Sequence, residues 1–102
     1  MGNFTEYSSC VRFIKKHLPL EHPVSVRRVT TPIGRDGDCD FRNEKFHIRI
    51  DRELTETYAI EVFLHEYAHC LSWEQEEDCH GIKWGKAYSL VYRTFLKWNT
   101  LL

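Results

Sequence analysis

Between Thr55 and Trp73 the chain reads TETYAIEVFLHEYAHCLSW, with Ile60, Leu64, Ala68 and Leu71 recurring at three- and four-residue intervals. That period puts all four on one stripe of a helix. So apolar a helix must be covered by other elements. Besides Glu56 and Glu61 nearer its start, it carries His65, Glu66 and His69 close together in its second half, and this cluster calls for a reason.

The rest of the chain supplies the cover. From Thr5, a plausible N-cap, to about Leu18, the residues Tyr7, Val11, Ile14 and Leu18 have helical spacing, and Pro19 and Pro23 end the segment. VSVRRVTT, Val24 to Thr31, is β-branched and alternating, and KFHIRI, Lys45 to Ile50, places Phe46, Ile48 and Ile50 on one face. Pro32 to Asp40, rich in Gly and Asp, reads as connection. Ile82 to about Trp98 predicts the last helix, with Trp84, Tyr88, Val91, Phe95 and Trp98 as a stripe assigned to the core. The expected class is α+β: an N-terminal helix, a small antiparallel sheet of two or three strands, and two further helices. With 102 residues, one domain spanning 1–102 is expected.

Composition removes several function classes. Lys+Arg 14 against Asp+Glu 15 leaves a formal charge of -1, so no polyanion partner such as nucleic acid is expected. No apolar run approaches the roughly 20 residues of a membrane span, and MGNFTEYSSC has neither a basic nor an apolar signal region. A soluble cytoplasmic protein is the expectation. Met1-Gly2 resembles a myristoylation start, but Glu6 stands where Ser or Thr is wanted. Cys10, Cys39, Cys70 and Cys79 form no CxxC pair, and reduced thiols are expected. A sulfur ligand or bridge involving Cys70 or Cys79 is the minority alternative. Asp36, Asp38 and Asp40 imitate the opening of a calcium loop, yet Phe41 replaces its Gly and His47 its Glu, so a polar turn is expected.

His65-Glu66-Tyr67-Ala68-His69 is H-E-x-x-H. At about 100° per residue the two imidazoles fall about 40° apart, one turn removed, and can reach one metal ion. Glu66 sits on the adjacent flank, where its carboxylate can face a metal-bound water without being a ligand. The rival is a polar helix face with a chance pattern, which an otherwise apolar segment disfavours. A catalytic zinc takes a third protein ligand and keeps one position for water. His80, eleven residues past His69 and followed by Gly81, is the first candidate; an acidic residue from Glu74 to Asp78, or Cys79, is the alternative.

HEYAH, followed after ten residues by HGIKW, resembles the SprT-like zinc metallopeptidases, with the match lying within residues 60–95. The resemblance implies a minimal zincin-like core, Zn2+ held by His65, His69 and His80, Glu66 as catalytic base, and a peptide or protein substrate. Larger members add a cysteine-rich zinc ribbon or DNA-binding segments, and no counterpart occurs in these 102 residues. A DNA-linked role gains nothing from the sequence. The metzincin pattern also fails, because no histidine stands at position 75.

The expected chemistry is peptide hydrolysis by a zinc-activated water, with Glu66 taking its proton and a tyrosine, Tyr88 or Tyr92, aiding the oxyanion. Lys45 to Ile50, as a cleft rim, would take an extended substrate by strand addition. Two rivals stand beside this: a weak or inactive zinc-stabilised peptide- or partner-binding module, and a hydrolase of non-peptide bonds. Glu66 favours an enzyme, because a structural zinc site needs no carboxylate beside its first histidine.

Overall fold

A computed structural model of the chain describes residues 5–73 and 80–101. The elements run α1 (Thr5–His17), β1 (Val24–Val29), β2 (Gly37–Arg42), β3 (Lys45–Asp51), α2 (Glu56–Leu71) and α3 (Ile82–Thr100), an α+β order. No described helix is long and apolar enough to cross a membrane.

The sheet departs from the all-antiparallel expectation. Its order is β1-β3-β2, with β3 antiparallel to β2 and parallel to β1. The cause lies in two connections of different length. Asn43 and Glu44, both with positive φ (54° and 57°), form a two-residue turn that folds β3 straight back on β2. The longer stretch after β1 instead carries the chain past the space that β3 then fills. Both edges of β3 are therefore paired, and it cannot be the free rim that strand addition requires. The hairpin's outer edge belongs to β2.

β2 occupies part of the stretch expected to be a turn. Aspartate is poor in strands, but here Asp38 and Asp40 alternate with Gly37, Cys39 and Phe41, so the carboxylates share the outer face with Arg49 and Arg42. Asp38 accepts from Arg49 Nε at 2.9 Å. Gly37, on the inner face, is tightly packed: a Cβ there would lie 2.7 Å from Val62 Cγ1 and 2.9 Å from the Arg49 carbonyl. Glycine lets β2 approach α2 this closely.

α2 is the spine of the core. Thr55 caps it, its hydroxyl accepting from Tyr58 N, and Ala59, Phe63, Leu64, Tyr67 and Ala68 are wholly buried. Phe46, Ile48 and Ile50 cover it from the sheet, Cys10 and Ile14 from α1, Val91 and Trp98 from α3. Directional bonds fix the angles between helices. Glu56 at the start of α2 accepts from Tyr7 N at 2.9 Å, Tyr67 Oη donates to the Leu18 carbonyl at 2.6 Å, and Trp98 Nε1 donates to Ser9 Oγ at 3.0 Å. α2 thus reaches its last turn, where His69 lies, with little freedom to move.

Candidate functional site

His65 and His69 project from successive turns of α2, and His80 stands just before α3. Their Nε2 atoms form a triangle with each side 3.2 Å long. A tetrahedral zinc ion about 2.0 to 2.1 Å from each nitrogen would hold them about 3.3 Å apart. The triangle matches that spacing, so these side chains could together hold a metal ion. Unprotonated ring nitrogens at this distance would repel one another, and a cation between them would turn that repulsion into attraction. Burial, followed by the neighbouring imidazoles, lowers the His69 pKa to about 4; burial and His80 lower that of His65. Both favour the neutral ring that a metal requires.

The third histidine is positioned by aromatic packing. Gly81, at the N-cap position of α3, offers no side-chain cap, and His80 is exposed. Trp84, one turn into α3, places its ring centroid 4.9 Å from His80, 5.0 Å from His65 and 5.5 Å from His69. Its indole N–H donates to the His65 carbonyl at 3.4 Å. The α3 stripe assigned to the core is buried in it at Val91 and Trp98 and packs against it, partly buried, at Trp84, Tyr88 and Phe95; Trp84 packs against the imidazoles as well. Bulk and periodicity cannot distinguish these uses, because both need an aromatic on the inward face.

Glu66 lies beside the triangle and is buried. Burial, followed by the Asp38 carboxylate and opposed by Arg35, raises its pKa to about 7. It opens with His65 onto a cavity of about 430 Å³ bordered by Asp36, Gly37, Tyr58, Glu61 and Tyr88. Tyr88 stacks on Trp84 with centroids 5.1 Å apart and planes 10° apart, which holds its ring at the cavity wall. Tyr92 borders a different groove, with Ile60, Phe95 and Trp98. Tyr58, which sequence reasoning passed over, is also on the cavity wall, its hydroxyl donating to Asp36 Oδ2 at 2.6 Å. Its position three residues after the Thr55 cap gave only a helical signal. The alternative third ligands, Glu74 to Asp78 and Cys79, lie outside the described residues.

No protein-family model matches the chain, and no curated protein matches it. Among solved structures, its fold is similar to the crystal structure of the metallopeptidase zymogen jannalysin of Methanocaldococcus jannaschii, with a TM-score of 0.51 and 12% identity, covering 100% of both chains. At that identity the likeness concerns the fold: a small zincin-like α+β architecture, here with three histidines gathered at one point.

Proposed function

We propose that this chain is a zinc-dependent metallopeptidase of SprT-like type, with His65, His69 and His80 as ligands and Glu66 as the general base. The observation that carries this reading is the 3.2 Å triangle of Nε2 atoms with a buried carboxylate beside it, opening on a substrate-sized cavity. The HEYAH and HGIKW motifs and the metallopeptidase-like fold support it.

Zinc bound at the three imidazoles would supply a water of lowered pKa and Lewis-acid polarisation of the scissile carbonyl. Glu66, its pKa raised to about 7, would hold a proton taken from water at its carboxylate and return it to the leaving amine. Its burial costs stability when the carboxylate is ionised, and a purely structural metal site would have no use for that cost. Tyr88, fixed on Trp84, is the better placed of the two tyrosines to donate to the oxyanion.

An extended peptide would add to β2. Alternation in the β2–β3 ladder, continued by the Asp51 N–H donating to Asp36 O at 2.8 Å, turns the main-chain groups of Gly37, Cys39 and Phe41 to the outer edge. A substrate strand there would run past His65 and Glu66, gaining main-chain hydrogen bonds with modest side-chain selectivity.

The test is digestion of an unstructured protein such as casein by the zinc-loaded chain and by Glu66→Gln. Cleavage by the parent, with loss in a variant that still carries stoichiometric zinc, is expected. Equal activity of the two would overturn the assignment of the base. A zinc-loaded parent that cuts nothing would point to the binding-module alternative.

A further inference from the structure

Cys39 and Cys70 are 31 residues apart in sequence, yet their Sγ atoms lie 3.1 Å apart. Cys39 is on β2, half-buried, with its side chain turned toward α2; Cys70, 4% exposed, is in the last turn of α2 immediately after His69. A disulfide needs its sulfurs about 2.05 Å apart, so closure asks for about one ångström of movement between elements already in contact. Two packed thiols can serve merely as small apolar groups. Cys10, wholly buried among core residues, is that case. The pair differs by facing another sulfur and by its place: Cys39 is half-buried, and Cys70 borders a second cavity, of about 230 Å³, between Leu20, His22, Phe46 and Trp73 at the C-terminal end of α2.

We propose that Cys39 and Cys70 are an oxidisable pair, closed to a disulfide by hydroperoxide, that bonds the outer strand β2 covalently to the histidine-bearing helix α2. The Cys39 sulfur, the more exposed, attacks one oxygen of hydrogen peroxide; an S–O bond forms, the O–O bond breaks, and the thiol proton leaves with the departing oxygen as water. The Cys70 sulfur then displaces the oxygen of that sulfenic acid; the S–S bond forms, the S–O bond breaks, and a second water leaves with the Cys70 proton. Two thiols lose two electrons in all, and one peroxide takes them up. The bond closes a loop containing β3 and most of α2, so it removes much of the freedom of the unfolded chain. It also fixes the strand edge proposed to carry substrate against the helix that carries His65 and His69, whether or not the chain is a peptidase.

The full-length reduced protein, loaded with zinc, is treated with one equivalent of hydrogen peroxide and mapped by mass spectrometry without reduction. The expected result is loss of two hydrogens per chain, a cross-linked pair of peptides containing Cys39 and Cys70, and a melting temperature higher by about 5 to 15 °C that dithiothreitol reverses. Cys39→Ser, on the less buried partner, should abolish the cross-link and the shift together; Cys70→Ala repeats the test from the other side. Cys39 and Cys70 remaining open to alkylation after oxidation, a bridge from Cys70 to Cys10 or Cys79, or conversion to sulfinic acid without a cross-link would each overturn the proposal. None of these readouts depends on peptidase activity.

Discussion

The two supports of the histidine triangle are built differently. His65 and His69 stand on a helix that is capped by Thr55, buried on its inner face from Ala59 onward and tied to α1 through Tyr67 and Glu56. His80 precedes a helix with no side-chain cap, is itself exposed, and is held by the ring of Trp84. One arm is set by the core and arrives with its geometry fixed. The other depends on a local aromatic contact, so perturbation of the site should enter through α3 more readily than through α2.

That contrast can be broken experimentally. Glu66→Gln, which leaves both supports intact, should reduce peptide hydrolysis by about 10³-fold or more, while zinc measured by elemental analysis stays near one per chain. His80→Ala should weaken zinc binding by at least about 100-fold in a chelator competition, with little change in melting temperature of the metal-free protein, because the residue is exposed. Trp84→Ala, which removes no ligand, should weaken zinc by about 10- to 100-fold; an affinity equal to the parent's would show that α3 positions His80 without the indole.

Smaller effects sharpen the same comparison from the sheet side. Gly37→Ala would drive a methyl group into Val62 and the Arg49 carbonyl, and is expected to cost about 1 to 3 kcal/mol in denaturant unfolding. Asp38→Asn should cost only about 0.5 kcal/mol at pH 7, because Arg49 is well exposed and the pair is screened by solvent. The hydrogen bond from Arg49 holds the Asp38 pKa below its ordinary value, so this contribution is complete above the unfolded carboxyl pKa, about 3.9. It is lost as pH falls through the lower folded value. Unfolding curves of parent and variant should therefore converge from about pH 4 downward, and a gap that widened there would contradict the pairing.

What was legible in the sequence follows the range of the interactions. His65, Glu66 and His69 are related by helix geometry, which is local, so a five-residue motif suffices to place them on one face. The turn at Asn43-Glu44 is equally local, but neither residue is glycine and the positive φ values were not evident. β2 was hidden because aspartates look like turn residues; only the register with Arg49 across the hairpin makes Asp38 a strand residue. The parallel pairing of β1 with β3 depends on the order in which strands fill the sheet, which no single segment encodes. His80 could be singled out by ligand chemistry and an adjacent glycine. Its proximity to the other two imidazoles, and the indole packed against all three, required the packing of α3 on α2.

The most direct test of the central claim is X-ray absorption at the zinc edge on the stoichiometrically loaded protein. Three imidazole nitrogens and one oxygen at about 2.0 to 2.1 Å are predicted, with one imidazole lost in His80→Ala. A sulfur at about 2.3 Å would contradict the account, as would a shell unchanged by that substitution, because the third ligand would then come from elsewhere in the chain.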